Sequence, residues 1–296
     1  MNKEKIAFFE LLAAGFIFSF TSVFTRLISN NMGVYFQMFL RVCMMVPMFF
    51  ILGYFSKIFK KIDPSDLPLL FFRGLLITID FSCFYIAITN LSLGLALFIY
   101  EAANIITTYI FGAVFFKEKL TPIKTISLVV ALSGLYIIYI GSFGNFKILP
   151  LAAALIAGTC FGLNMSSSKK LTSKYDSIHV SLIAYLVPLI LCLPLMAFFK
   201  EQFPATISPL TILELFGFSI VLVSAFCLTL NGYKKIEAQK ASLILLSEML
   251  FIIINGIVIY HEIPTVNTIV GGILILLAFV LPNLKKSTNS SATIQT

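Results

Sequence analysis

The chain has 296 residues, 59% of them hydrophobic and 11% charged, with a mean hydropathy of +1.01 and a formal charge of +8. A soluble domain keeps about a quarter of its residues charged, so this composition excludes a chain whose surface mostly faces water. The excess charge is lysine, placed in short stretches between apolar runs; that is a membrane topology signal, not the footprint of a nucleic-acid binder.

A helix needs about 20 apolar residues to cross the ~30 Å hydrocarbon core, and ten stretches qualify. The first, 7–29, is too long for a signal-peptide core and has no clear small-residue cleavage site, so it is expected to be retained. Glu10 and Arg26 lie near its two ends, where charged side chains snorkel to headgroups. The second, 33–55, carries Arg41. The third, 67–88, has Arg73 near one end and Asp80 further in. The fourth, 92–116, holds Tyr100, Glu101 and Asn104. The fifth is 122–141. The sixth, 148–168, ends in Ser166, Ser167 and Ser168, small residues that favour close helix packing. The seventh is 178–199, with His179 read as a loop residue at its start. The eighth is 209–231. The ninth, 238–260, carries Glu248. The tenth is 264–284, and the Ser-, Thr- and Asn-rich residues 285–296 read as a disordered polar tail.

If the N-terminus is cytoplasmic, sixteen lysines fall on the inner side, among them Lys57, Lys117, Lys169 and Lys234. Lys147 and Lys200 remain outside. This bias obeys the positive-inside rule and, with an even number of spans, makes both termini cytoplasmic. The five cysteines sit inside apolar runs without metal-ligand spacing and read as packing residues. There is no tryptophan, so tyrosine must supply any interfacial aromatic belt.

The chain is internally duplicated. AAGFIFSFTSVFTR, from Ala13 to Arg26, aligns with IAGTCFGLNMSSSK, from Ile156 to Lys169, placing Gly15 on Gly158 and Arg26 on Lys169 at an offset of 143. In the fourth and ninth spans, Gly112 falls on Gly256 and Glu118 on Glu262 at an offset of 144. A repeat of five spans enters the membrane inverted the second time, the plan of many secondary transporters with a midplane site between the halves.

These residues resemble the EamA-type branch of the drug/metabolite transporter superfamily. Its fourth helix closes with a short apolar stretch, a Glu and a Thr-containing turn, seen here as IFGAVFFKEKLTP, from Ile110 to Pro122, and INGIVIYHEIPT, from Ile254 to Thr265. Its Gly-rich fifth helix is matched by VALSGLYIIYI, from Val130 to Ile140, and IVGGILILLAFVL, from Ile269 to Leu281. The resemblance implies an all-α integral membrane protein of ten helices, arranged as one repeat over 7–142 and a second over 147–284. It departs from the family at Ile105 and Met249, where a proline is usual, so any bend there must arise differently. Glu248 matches an acid that often precedes that proline in the second half; its repeat counterpart here is Asn104.

Ionisable groups inside a membrane cost about 2.5–3.5 kcal/mol each on insertion scales, and so face partners or a watery cavity. Arg41, Asp80, Glu101 and Glu248 are such groups. Glu101 and Asn104 are three residues apart and share a helix face, beside Tyr100, an aromatic body with a hydroxyl handle. The expected substrate-binding set is therefore Arg41, Asp80, Tyr100, Glu101, Asn104 and Glu248. Three acids against one arginine favour a cationic or zwitterionic substrate, or a proton. The structural alternative is that Arg41 and Asp80 simply pair to join two helices. Glu118 and Glu262, at helix ends, are expected to fix turns or face water, and His261 to be solvated.

No P-loop, histidine cluster or nucleophile with a base is present, so neither an enzyme nor a cofactor is expected. The reading is a secondary transporter for a small organic metabolite in the bacterial inner membrane. Its partners are that solute and the bilayer, with no nucleic acid; a homodimer is compatible with the sequence. The alternative is a non-transporting scaffold or accessory subunit, stable only with its partner.

Overall fold

The computed structural model describes residues 3–28, 32–142, 147–201 and 206–284. The polar tail at 285–296 lies outside these residues, as does the side chain of Arg26. Within them every element is helical: α1 (Lys3–Leu27), α2 (Val34–Phe55), α3 (Leu67–Asn90), α4 (Leu93–Phe115), α5 (Pro122–Tyr139), α6 (Ile148–Thr172), α7 (Ser177–Phe198), α8 (Pro209–Lys235), α9 (Ala238–Leu245), α10 (Ser247–Tyr260) and α11 (Val266–Leu284).

Nine of the described segments are long and apolar enough to cross a membrane, counting Ala238–Tyr260 as one, and Val266–Pro282 is a shorter apolar helix. Large hydrophobics such as Phe55, Phe115, Ile148 and Phe198 point outwards on their surfaces. In water such a surface would aggregate; against lipid it is solvated. This is a multi-pass membrane protein.

The helix ends follow local chemistry. Pro122 and Pro209 stand at first helical positions, where no N–H partner is lost. Ser92, Asp176 and Ser208 cap α4, α7 and α8 by accepting from backbone amides of Leu95, Ile178 and Thr211.

Packing runs between the halves more than within them. Helix α1 lies along α8 and α3 along α6; α4 packs on α6 and α1 on α10; α2 meets α7 and α5 meets α11. With α9 and α10 taken as one interrupted helix, each of these contacts has its counterpart under exchange of the two five-helix sets. At the α5–α11 crossing the glycines are at the seam: a Cβ on Gly271 would stand 2.5 Å from the Gly134 carbonyl oxygen, and one on Gly134 would stand 2.9 Å from that of Gly271.

The ninth expected span is broken. Its hydrogen bonding tightens at Leu246, where the Met249 amide donates to the Leu246 carbonyl three residues back, at 3.0 Å. The interruption falls just before Glu248 and needs no proline. Helix α4, its counterpart, runs through without a break.

Candidate functional site

The site forms where the first helix of each half meets the fourth helix of the other. Gly158 of α6 lies against the Tyr100 carbonyl of α4; a Cβ there would collide with that oxygen and come within 3.0 Å of Ala103. Gly15 of α1 does the same for the break, where a Cβ would stand 2.6 Å from Ser247 Oγ and 3.0 Å from the Glu248 amide. The two aligned glycines thus set the depth at which Tyr100, Glu101 and Glu248 sit.

Glu101 and Asn104 are buried, and Asn104 Nδ2 donates to Glu101 Oε2 at 3.2 Å. Glu248, half-buried, faces them across a small cavity that Phe161, Ser242, Leu245, Leu246 and Met249 also line. Its free volume is about 10 Å³, the room of a single water. Both carboxylates line this one cavity. Tyr139 stands near both and donates to Met249 Sδ at 3.5 Å. Asp80 of α3 extends the cluster: it lies beside the Tyr100 hydroxyl and within influence of Glu101. The Tyr100 ring is held between Phe84, at 4.8 Å between centroids, and Phe161, at 5.8 Å. Among the described residues no lysine or arginine pairs with Asp80, Glu101 or Glu248.

Of the six residues expected to bind substrate, five gather here: Asp80, Tyr100, Glu101, Asn104 and Glu248. Arg41 does not join them. Its guanidinium lies over the rings of Phe81, at 4.2 Å, and Phe218, at 4.9 Å, and its Nε donates to the Gln37 carbonyl at 3.4 Å. It therefore stands on the wall made by α2, α3, α7 and α8, held by cation–π contact instead of by the carboxylate of Asp80. Arg73, expected near one end of the third span, is the seventh residue of α3 and the largest fully buried side chain among the described residues. Its Nε donates to the Asn164 carbonyl of α6 at 3.3 Å, and its Nη1 has no partner.

The lysine-rich end is built differently. Glu118 is buried and accepts from the amides of Ala238 and Gln239 at the start of α9, at 2.8 and 3.2 Å, and from Lys169 Nζ at 2.8 Å. Buried Lys124 donates to Gln239 Oε1 and the Lys119 carbonyl, and pairs with Glu237 at 3.0 Å. Lys174 and Tyr175 bind Asp66 across the turns before α7 and α3. Glu10 is engaged by Lys235 of α8 and is not extended to headgroups. At the opposite end the Glu201 carboxylate accepts from the amides of Tyr35 and Phe36, both at 3.1 Å, and so caps α2. Glu118 thus fixes a helix start and does not face water. Glu262 is exposed and repeats the local bond of Glu118: each amide donates to the glycine carbonyl six residues back, at 3.0 Å, in Gly112 and Gly256. His179 is a buried residue of α7 packed edge-on to Phe59 and Tyr175, not a loop residue. His261 is exposed in a left-handed cap after α10. Among the described residues no three His, Cys, Asp or Glu side chains gather to hold a metal.

The profile of the EamA-like transporter family matches residues 5–140 and again 148–284. The chain belongs to the EamA-like transporter family. This EamA-like chain is 26% identical over 230 residues to an uncharacterized transporter of Archaeoglobus fulgidus, covering 75% of this chain and 79% of the other. It is 25% identical over 249 residues to an uncharacterized transporter of Clostridium kluyveri, covering 78% and 79%. A solved crystal structure of a protein 14% identical superposes with a TM-score of 0.77 over 95% of this chain and 96% of its own, a likeness of fold alone. The EamA-like chain is thus a membrane transporter.

Proposed function

We propose that this protein is a secondary carrier that moves a small organic metabolite (an amino acid, a nucleotide-like metabolite or an organic cation) across the bacterial inner membrane by alternating access, coupled to protons or working by exchange. Val266–Pro282 serves as the tenth span, and both termini are cytoplasmic. The lysine-rich end then faces the cytoplasm, as the positive-inside rule requires.

The observation that supports this most is the convergence of Glu101 and Glu248, one from each repeat, with no lysine or arginine paired to them among the described residues. Two carboxylates held together away from water are costly unless a proton or a cationic group joins them. A solute amine or a proton fulfils that need. Asp80 and Asn104 would complete its coordination, and the Tyr100 ring would pack on its apolar part. The void of about 10 Å³ must widen for a metabolite to enter, which suits a site that opens to one side at a time.

The test is counterflow: purified protein in liposomes loaded with pooled unlabelled amino acids, nucleosides and organic cations, with entry of each labelled member followed. Entry that depends on the internal pool and is lost in Glu248→Gln supports the carrier and its site. Entry unaffected by Glu248→Gln removes Glu248 from the path. No entry from any pool argues for the scaffold reading.

A further inference from the structure

Two arginines in the spans have no carboxylate partner among the described residues, and they share a wall. Arg73 is 2% exposed and Arg41 8%. Both act electrostatically on Tyr185 of α7, itself buried. Close contact between α3 and α7 makes this possible: a Cβ on Gly74, next to Arg73, would meet the Val187 side chain and stand 2.6 Å from the Ala184 carbonyl.

The residues form a column. The turn joining α2 to α3 binds the turn before α7 through Asp63, Asp66, Lys174 and Tyr175, and Phe59, just after α2 and against Gly53, packs on His179 at 5.2 Å, so these helix ends lie at one level. Counted from there, Arg73 is 73 − 67 = 6 residues up α3, Tyr185 is 185 − 177 = 8 up α7, and Arg41 is 55 − 41 = 14 up α2. At 1.5 Å per residue the arginines are about 12 Å apart in height, with Tyr185 between them. On Asn164, whose carbonyl accepts from the lower arginine, the side-chain Oδ1 is also buried without a partner.

A guanidinium carries five donors in a fork that fits the paired oxygens of a carboxylate or phosphate. Arg73 uses Nε on a backbone carbonyl and leaves Nη1 unmet. A helix-joining role would be met by a neutral donor and would not need a positive charge there. Opposite charges are also kept apart: the acids collect around Tyr100, and the arginines around Tyr185. Asp80, beside the Tyr100 hydroxyl, is the acid nearest the arginine group.

We infer that Arg73 and Arg41, on either side of Tyr185, form an anion-binding wall, and that the transported solute carries an anionic oxygen group, a carboxylate or a phosphate. The inference rests on the carrier reading and deepens it. The acidic cluster takes the cationic end of the solute or a proton. The arginines take its anionic end in turn as the protein changes the side to which it opens. Neither charge cluster is then left uncompensated when the solute is bound.

Counterflow with charge-sorted pools tests this. One pool holds organic cations without an anionic group, one holds carboxylate-bearing zwitterions such as leucine, and one holds phosphate-bearing zwitterions such as O-phosphoethanolamine. For any solute that exchanges, the analogue with its anionic group neutralised (leucinamide for leucine, ethanolamine for O-phosphoethanolamine) is compared. The expected result is exchange confined to one of the anion-bearing pools, which also tells carboxylate from phosphate. The neutralised analogue should be weakened about ten- to hundredfold, the loss of one charge-assisted bond. Arg73→Gln should reduce exchange of the intact solute by a similar factor and abolish its advantage over the analogue, and Arg73→Lys should restore part of that advantage. Equal exchange of intact solute and analogue by the wild type overturns the inference, whether or not Arg73→Gln folds, and leaves the carrier standing. So does full selectivity in Arg73→Gln. If no pool exchanges, the carrier reading fails and this inference with it.

Discussion

The middle of the molecule and its lysine-rich end treat charge in opposite ways. At the end, Glu118, Lys124, Asp66 and Glu10 each meet an opposite charge, and Glu118 also meets two helix-starting amides. In the middle, Asp80, Glu101 and Glu248 stand together, and Arg41 and Arg73 stand elsewhere, with no ion pair among them in the described residues. Pairing at that end adds to the helix packing between the two repeats: the Glu118 carboxylate meets the start of α9 and a lysine at once. On the proposed carrier reading, separation in the middle leaves charge ready for a partner that comes and goes. The comparison teaches that burial of charge does not by itself mark a site: Glu118 is as buried as Glu101, at 8% exposure each. What differs is the partner: Glu118 meets a lysine and two amides, whereas Glu101 meets only the neutral amide of Asn104.

Substitutions can break that contrast. The largest effect is expected at the end: Glu118→Ala strips Lys169 and two amides of their acceptor and should cost about 3–5 kcal/mol, as for a broken buried pair. Chemical or thermal unfolding in detergent would read it. Next, Gly158→Leu should destabilise by about 1–3 kcal/mol through overpacking, and should displace Tyr100 and Glu101 so that flux falls with stability. Then Glu248→Gln should lower flux at least about tenfold, equivalent to about 1.4 kcal/mol, with an unchanged or higher melting temperature. If Glu248→Gln instead melted as early as Glu118→Ala, the middle would be structural glue and the contrast would fall. The smallest effect belongs to Asp63, which accepts from the Ser65 amide at 3.0 Å. Hydrogen bonds from Ser65 hold its carboxyl below the usual carboxylate range. A depressed value stabilises the fold above the ordinary carboxylate pKa, and that gain is lost as pH falls through the folded value. Asp63→Asn should therefore lower the melting temperature slightly at pH 7, and the difference should close as the pH falls towards 3, with flux unaltered.

Much of this was legible in residue order. Apolar runs mark spans because lipid demands them, and the Gly15–Gly158 and Glu118–Glu262 matches expose the duplication because repeats keep spacing. The candidate site residues came from charges inside apolar runs, and of these only Asn104 and Glu248 occupy matching places in the two fourth helices. The sequence signal for Arg73 was present, as a charge near one end of an apolar run, but nothing in residue order told that neighbouring helices would bury it. The fate of Arg41 had no such signal. Its partners Phe81 and Phe218 come from helices far apart in sequence, and phenylalanine is too common here to point anywhere.

By itself the sequence determined that this chain lives in a membrane, is built twice and belongs with transporters, because hydropathy, charge bias and repeat spacing are properties of order along the chain. Only the tertiary structure decided that α9 and α10 break at Leu246, that the acids of both repeats converge while the arginines take another wall, and that Glu118 is a clamp. Those outcomes depend on which helices touch and how closely, and contact across the bundle is set by glycine-sized gaps and three-dimensional packing that linear spacing does not encode.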